Sequence, residues 1–277
     1  MRSAYLLGMR IPVLSPLLSR KPRVAVIRLT GAIGGAGRGG GLNDAALAPL
    51  IERAFRRGKP VAVALAINSP GGSPVQSSLI GARIRRVADE TGVPVHAFVE
   101  DMAASGGYWL ACAADRIWAD ESSVLGSIGV ISAGFGFHEL IDRWGIERRV
   151  HTAGQSKSTM DPFRPEKPED VARLNNILLP IHEAFKDHVR NRRGDRLDGE
   201  RDLFTGEFWA GRESVRLGLA DGIGHLVPKM KELYGEKLRF DALGLRRPLL
   251  RRLGLSADAV FDAAEERAAF QRFGTRA

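Results

Sequence analysis

Several features that would assign a chain to a class are scarce or missing in this 277-residue sequence. It has one cysteine, Cys112, so no disulfide can form within the chain, and its apolar surroundings predict a buried, inert thiol. No apolar run approaches the ~20 residues that a helix needs to cross a bilayer. The glycine-rich segment 31–41, GAIGGAGRGGG, lacks the Lys-Ser ending of a phosphate-binding loop, which argues against nucleotide binding.

Acidic residues are the minority among the charged side chains. The 32 Asp and Glu against 41 Lys and Arg give a formal net charge of +9, which favours anionic surfaces such as a membrane or nucleic acid. Much of this charge lies in arginine pairs near the C-terminus, and no recognised DNA- or RNA-binding motif accompanies them. We therefore expect no nucleic-acid partner.

The two ends of the chain differ from the rest. The apolar residues of segment 1–22 are interrupted by Arg10, Pro12 and Pro16, so the segment fits neither a transmembrane anchor nor a secretory signal. They form either a docked amphipathic arm or a peripheral membrane contact. Segment 243–255, LGLRRPLLRRLGL, either rests on anionic lipid or is a solvated linker before a helix at 257–273. We expect the protein in the bacterial cytoplasm or peripherally at the cytoplasmic membrane.

Between these ends, apolar strands alternate with amphipathic helices. Segment 60–68, PVAVALAIN, is typical of a strand buried on both faces, and residues 44–57 predict a helix capped by Asn43. We also predict a strand at 147–152 and a long helix at 168–193. The alternation predicts an α/β fold with a parallel or mixed sheet and layered helices. We divide the chain into an N-terminal arm at 1–22, one domain at 23–240, and a basic tail with a final helix at 241–277.

Residues 93–115, VPVHAFVEDMAASGGYWLACAAD, combine an apolar run with a serine that two glycines follow. The run 93–99 predicts a strand, and the apolar residues after the glycines predict a helix. Ser105 would stand at the tight turn between them, where Gly106 and Gly107 let another backbone come close. That is a suitable position for a nucleophile. The alternative is that Ser105 only caps the helix.

A second turn follows the buried strand 60–68 and reads NSPGGS at residues 68–73. Ligands bind to α/β folds at the carboxyl edge of the sheet, and glycines there present bare backbone N–H groups. This turn is therefore either half of an oxyanion hole or a plain tight turn.

A serine nucleophile needs a base. The six histidines show no recognisable pairing with an acid, and the context of Ser105 is not the G-x-S-x-G nucleophile elbow. A lysine is the other candidate, although keeping a lysine uncharged near neutral pH costs about 4 kcal/mol. Lys157 has neutral hydrogen-bonding neighbours, and no carboxylate is nearer to it in sequence than Asp161. The alternative is an ordinary solvated lysine.

Taken together, these stretches resemble the signal peptide peptidase A family of serine-lysine peptidases, family S49, whose fold is related to Clp protease and crotonase. The resemblance covers roughly residues 24–227. Five stretches carry it in order: INSPGG at 67–72, MAASGGY at 102–108, GSIGV at 126–130, GQSKS at 154–158, and TGEFWAGR at 205–212 running on to GLAD at 218–221.

The resemblance implies a ClpP/crotonase-like layered fold and a mechanism without metal or cofactor. Ser105 would attack the peptide carbonyl, with Lys157 as general base and then as general acid. Ser127 would hydrogen-bond the lysine amine and orient it, although it is also compatible with a simple turn serine.

The same resemblance implies the groups that bind the substrate. Backbone N–H groups of Gly72 and Gly106 would hold the oxyanion, with Gly71 beside them in the substrate-binding turn. Substrates would be extended apolar peptides such as signal-peptide remnants.

The resemblance further implies a homo-oligomer whose active sites lie where protomers meet, with serine and lysine supplied by neighbouring chains. Typical members carry an N-terminal transmembrane helix, where this sequence has only the interrupted arm. Two other interpretations stay open. One is a catalytically inactive scaffold of the same fold, and the other is a crotonase-like acyl-CoA enzyme, which has no need of Lys157.

Overall fold

The computed structural model describes residues 21–34, 41–154 and 156–244, together with Arg267 and Gln271. Within these ranges a mostly parallel sheet is covered by helices, which confirms the predicted α/β class. Residues 1–20 of the N-terminal arm, residues 35–40 of the glycine-rich loop and the predicted final helix lie outside the described residues, apart from Arg267 and Gln271 in that helix.

The described strands form one sheet. Its main path runs β6-β5-β3-β2-β1-β8, with β4 pairing with β3 and β7 with β4. All the pairings are parallel except that of β5 with β6. The strands are β1 (Arg23–Thr30), β2 (Ala62–Ser69), β3 (Val95–Ala104), β4 (Arg116–Ala119), β5 (Val124–Gly126), β6 (Phe208–Ala210), β7 (Gly222–Ile223) and β8 (Arg239–Leu243).

The helices begin and end largely where local signals place them. The Asn43 side chain accepts a hydrogen bond from the Ala46 N–H at 2.9 Å, which confirms the predicted cap. Ser73 caps the next helix, which ends at Gly92 with φ 65°. The helices are α1 (Asp44–Arg56), α2 (Pro74–Thr91), α3 (Gly106–Ala111), α4 (His138–Arg143), α5 (Pro168–Arg193), α6 (Gly211–Arg216) and α7 (Leu226–Tyr234).

Two apolar layers cover the faces of the sheet. On one face, side chains of α1, α2, α3 and α5 pack on alternate residues of the strands, with Leu47, Ile80 and Phe185 among them. On the other face, Met230 of α7 packs with Phe98 and neighbouring small residues. Strand β2 lies between β1 and β3 and is buried along almost its whole length, as its continuous apolar sequence predicts.

A buried ion pair fastens α5 to the sheet. The Arg193 guanidinium lies 2.8 Å from the Asp221 carboxylate, and the two side chains are 2% and 4% exposed. Burial alone would raise the pKa of Asp221, but hydrogen bonds from Arg193 and from the Ile117 N–H hold it below its ordinary value. Close by, the buried Tyr108 hydroxyl donates to the Leu219 carbonyl at 2.9 Å. These contacts hold α3, α5 and β4 against the segment that contains the GLAD motif.

The predicted strand at 147–152 is wrong. These residues have no regular structure and are almost wholly exposed, and Arg149 pairs with Glu147 two positions earlier. A strand is stable only when a neighbouring strand satisfies its backbone groups, and no described strand lies beside this segment. The helix predicted at 168–193 is confirmed as α5, with Pro180 in its interior.

Candidate active site

Ser105 stands at the turn between β3 and α3. Its backbone has φ 52° and ψ −122°, a conformation that non-glycine residues rarely adopt and that is often found at functional sites. Its N–H donates to the Gly126 carbonyl at 2.8 Å, and its own carbonyl accepts from the Tyr108 N–H at 2.9 Å. The side chain makes no capping hydrogen bond. The half-buried hydroxyl therefore does not perform the capping role that was the alternative for this serine.

The glycine turn after β2 lies directly against the serine turn. A Cβ added to Gly71 would stand 2.7 Å from the Ser105 Cβ and 2.8 Å from the Gly106 nitrogen. Such distances leave no room for any side chain at position 71. Only glycine allows these two turns, which follow two adjacent parallel strands, to approach so closely.

Backbone N–H groups from both turns are available at this contact. Ile33 forms a parallel bridge with Gly72, in which the Ile33 N–H donates to the Gly71 carbonyl and the Ser73 N–H donates to the Ile33 carbonyl, both at 2.7 Å. The Gly72 N–H therefore points away from Ile33, and its nitrogen lies 3.4 Å from the position of a Cβ on Gly106. Gly106 is the first residue of α3, so its N–H has no acceptor within the helix. Two such donors can hold a developing oxyanion.

Ser127 directly follows Gly126, whose carbonyl accepts the hydrogen bond from the Ser105 N–H. It has φ 53°, and its N–H donates to the Glu207 carbonyl at 2.6 Å. Its hydroxyl has no hydrogen-bond partner in the part of the chain that the structure describes. The structure therefore brings Ser105, Ser127 and the glycines together at the carboxyl edge of the sheet.

Lys157 is not brought to this site within one chain. It lies in an exposed turn, and its N–H donates to the Gly154 carbonyl at 3.3 Å. Among the described residues, its side chain has no ion-pair partner and no hydrogen bond to Ser105 or Ser127. The nearest carboxylate in sequence, Asp161, is engaged elsewhere: the Phe163 N–H and then Arg148 hold its pKa below the ordinary value.

The segment that contains Lys157 exposes unusual amounts of apolar surface. None of the described residues from 129 to 184, which we call the outer arm, is buried. Phe135 is 80% exposed and Trp144 is 76% exposed. Other exposed apolar side chains of the outer arm are Ile131, Leu140, Ile146, Ile177 and Leu179. An extensive apolar surface of this kind is typical of a region that packs against another molecule.

One residue close to the site was not singled out from the sequence. The Nε2 atom of His182, on α5, lies 3.1 Å from the Ile128 carbonyl, next to Ser127. The pair is separated by 54 positions in sequence, so no local pattern indicates it.

A separate cleft lies on the face of the sheet that α7 covers. It has a volume of about 340 Å³, and its lining includes Glu100, Asp120 and His225 but not Ser105. His225 pairs with Asp120 at 2.8 Å, and Glu100 with Arg28 at 3.6 Å.

Two further kinds of feature are absent from the described ranges. No three His, Cys, Asp or Glu side chains come together there as metal ligands would. No helix in those ranges has the length and hydropathy to span a bilayer.

Comparison with known proteins identifies the family. Residues 88–237 match the family model described as Peptidase family S49. The matched region includes the Ser105 turn, the Ser127 turn and Lys157. The chain belongs to peptidase family S49, which confirms the resemblance seen in the sequence motifs.

Individual relatives carry several names. The chain is 46% identical over 270 residues to a protein of Brucella melitensis named Na(+)/H(+) antiporter NhaA, covering 91% of this chain and 37% of that protein. It is 28% identical over 180 residues to the putative signal peptide peptidase SppA of Enterococcus faecium, covering 65% of this chain and 52% of that protein. The chain thus spans about a third to a half of the length of these curated relatives.

A solved structure shares the fold. It is a lysine-to-alanine mutant of the 1510-N membrane-bound stomatin-specific protease in complex with a substrate peptide, with a TM-score of 0.52 and 14% sequence identity. The similarity covers 88% of this chain and 99% of that one. The predicted ClpP-like layered architecture is confirmed by this match.

Proposed function

We propose that this protein is a serine endopeptidase that uses Ser105 as nucleophile and Lys157 as base. The observation that carries the proposal is the contact between the two turns: the Ser105 hydroxyl is free of any capping bond and stands beside the N–H groups of Gly72 and Gly106. Membership of peptidase family S49 supports the same reaction class.

The reaction has two halves. In the first, an uncharged Lys157 amine takes the proton from the Ser105 hydroxyl while Oγ bonds to the peptide carbonyl carbon. The Gly72 and Gly106 N–H groups hold the resulting oxyanion, each contributing ~3 kcal/mol in well-studied enzymes. The lysine then protonates the leaving amine as the C–N bond breaks, which leaves an acyl-enzyme. In the second half, water gives a proton to Lys157 as its oxygen bonds to the ester carbonyl carbon. The bond from that carbon to Ser105 Oγ then breaks, Lys157 returns the proton to Oγ, and the acid is released.

Ser127 has the role of orienting the lysine. Its hydroxyl has no partner among the described residues, and its backbone is one residue from the carbonyl that holds Ser105. An amine placed between Ser105 and Ser127 would accept a hydrogen bond from one hydroxyl and donate to the other. This arrangement needs no imidazole.

The complete site requires a homo-oligomer in this proposal. Lys157 lies in the outer arm, where no described residue is buried and large apolar side chains such as Trp144 face outward. Packing the outer arm against a second copy would cover this surface and deliver the lysine to a serine. An isolated subunit would then be inactive.

The proposed substrates are extended apolar peptides such as signal-peptide remnants. The name of the Enterococcus faecium relative supports this class. The proposed location is the bacterial cytoplasm or the surface of the cytoplasmic membrane, where such peptides are accessible.

The decisive experiment compares serine and lysine variants. Purified protein is treated with a fluorophosphonate probe and assayed on an apolar peptide and on denatured protein. Ser105→Ala should abolish both labelling and hydrolysis, and Lys157→Met should abolish hydrolysis. Ser122→Ala and Lys237→Met, at exposed positions away from the site, are the matched controls and should retain both activities. Labelling that persists in Ser105→Ala would contradict the proposal.

The same proteins separate the two rival interpretations. An inactive scaffold would give neither labelling nor hydrolysis in the parent protein. A crotonase-like acyl-CoA enzyme would turn over a thioester in both the parent and Lys157→Met, since its chemistry uses the oxyanion donors without the lysine.

The oligomer has its own test. In light scattering, the Trp144→Asp and Phe135→Asp variants should have a lower molecular mass than the parent protein. Their rate of peptide hydrolysis should fall in proportion to the fraction of oligomer that is lost. A parent protein that is monomeric and fully active would contradict the shared site.

A further inference from the structure

His182 holds the turn that contains Ser127. We infer that His182 is a positioning residue of the catalytic site, which acts by fixing the loop at residues 126–129 through the Ile128 carbonyl. This inference rests on the proposed peptidase function. It concerns a side chain of α5 that lies far from the motifs in sequence.

The loop is fastened at four consecutive residues. Gly126 accepts a hydrogen bond from the Ser105 N–H at 2.8 Å, and the Ser127 N–H donates to the Glu207 carbonyl at 2.6 Å. The Ile128 carbonyl lies 3.1 Å from the His182 Nε2, and the Gly129 N–H donates to the Ser127 carbonyl at 2.9 Å. Between these bonds the Ile128 side chain is fully buried in the core.

His182 alone among these contacts links the loop to α5. The other three bonds connect the loop to itself, to the serine turn and to the residue before β6. In α5, Phe185 is the first buried residue, so His182 stands where the outer arm enters the body of the protein. Its hydrogen bond therefore couples the direction of the outer arm, which contains Lys157, to the turn that contains Ser127.

The hydrogen bond of His182 lies next to a proline in the helix. Pro180 lies inside α5 and has no N–H, so the helix lacks one of its backbone hydrogen bonds in the turn before His182. A proline inside a helix is a common cause of a kink, so a contact from the next turn to the body of the protein limits the directions that the helix can take. The bond to the Ile128 carbonyl is such a contact.

The chemistry of the bond defines the substitutions that test it. A carbonyl accepts and the imidazole must donate, which Nε2–H does in the neutral tautomer and in the protonated ring. Glutamine has an N–H donor at a similar distance from the backbone, whereas phenylalanine keeps the ring and removes the donor. The positioning role therefore predicts that glutamine at position 182 preserves the function of the histidine and that phenylalanine does not.

The experiment measures kcat, KM and the rate of fluorophosphonate labelling for the parent, His182→Phe and His182→Gln. We expect His182→Phe to lower kcat and the labelling rate about 10-fold and to keep KM within about twofold of the parent value. A roughly 10-fold effect is the size expected when one hydrogen bond that positions the reacting groups is lost. His182→Gln should recover most of both rates. Melting temperatures report whether any variant is unfolded.

His188→Phe is the matched control. His188 is on the same helix and its Nε2 also lies 3.1 Å from a backbone carbonyl, that of Trp109, which is not in the Ser127 loop. We expect this variant to melt at a lower temperature and to keep the parent kcat per folded molecule. Full activity in His182→Phe, or glutamine that performs no better than phenylalanine, would overturn the positioning role while leaving the peptidase proposal intact. A parent protein that shows no Ser105-dependent activity would overturn both.

Discussion

The N–H of Ser105 donates to the carbonyl of Gly126 at 2.8 Å, so the turns after β3 and β5 hold each other. The turn after β2 contacts the same serine through Gly71. Strands β2, β3 and β5 are neighbours and run parallel, so their carboxyl ends meet at one edge of the sheet. Three motifs that are well separated in sequence thereby become one site.

The strained backbone of Ser127 leads to the first prediction. Because φ is 53°, glycine is better suited to this position than any residue with a side chain, by about 1 kcal/mol. Ser127→Ala and Ser127→Gly both remove the hydroxyl and should lower kcat about 10-fold or more, if that hydroxyl orients the lysine. Ser127→Gly should nevertheless unfold at a higher denaturant concentration than Ser127→Ala. Urea titrations and peptide hydrolysis check the two parts, and an alanine variant with parent activity would contradict the orienting role.

Gly71 provides a prediction about the contact between turns. Gly71→Ala would place a methyl group 2.7 Å from the Ser105 Cβ, so the serine turn must move and fluorophosphonate labelling should fall at least about 10-fold. Gly92→Ala is the control, because Gly92 also has positive φ, 65°, but has nothing within 4 Å. It should cost about 1 kcal/mol of stability and leave labelling unchanged. Equal labelling in the two variants would show that the turns do not need their close contact.

Much of the fold follows from local sequence signals. The apolar run of β2, the Asn43 cap of α1 and the full extent of α5 are all observed as the sequence predicts. Strand β3 is longer than predicted, since it continues through Glu100 and Asp101 to Ala104. The two acidic residues interrupt the apolar pattern, yet pairing with β2 and β5 extends the strand past them. Propensity in a short window cannot include such long-range pairing.

The candidate site likewise has one part that local sequence patterns predict and one part that they do not. The glycine turns and Ser105 come together because adjacent parallel strands position them, and strand patterns indicate this. Lys157 lies in the outer arm, whose large apolar side chains are mostly exposed in the described chain, although the Phe137 ring contacts Phe135 and Phe163. Residues 147–152 were predicted as a strand but have no neighbouring strand to pair with among the described ones. Contacts between molecules leave no periodic signal in one sequence, so the roles of Lys157 and Ser127 remain predictions.

Cys112 gives a prediction about reactivity. Burial raises the pKa of its thiol to about 12, and the side chain has no exposed surface. The thiol is therefore neutral and inaccessible at about pH 8, and the folded protein should not react with iodoacetamide over the time in which the urea-unfolded protein is fully alkylated. Mass spectrometry of the two samples measures this. Alkylation of folded and unfolded protein at equal rates would show that α3 opens readily.

Asp221 yields a prediction about stability in acid. Its folded-state pKa lies below the ordinary value, because hydrogen bonds from Arg193 and the Ile117 N–H outweigh the effect of burial. A carboxyl group with a depressed pKa stabilises the fold fully above its unfolded pKa of ~3.9, and this contribution is lost as the pH falls through the lower folded value. Asp221→Asn leaves the buried Arg193 without a counter-charge and should cost about 3–5 kcal/mol at pH 7.

The pH dependence distinguishes this ion pair from a general loss of packing. Urea unfolding at about pH 7, 5, 4 and 3 should show a difference in unfolding free energy between parent and Asp221→Asn that is constant from about pH 7 to 5 and shrinks below about 4. In that range the unfolded parent binds a proton at Asp221 that the folded parent does not yet bind, so the parent loses stability. Asp187→Asn removes an exposed partner of Arg190 on the same helix and should cost less than about 1 kcal/mol at every pH. A difference for Asp221→Asn that stays constant down to about pH 3 would mean that shape, rather than charge, holds α5 against the sheet.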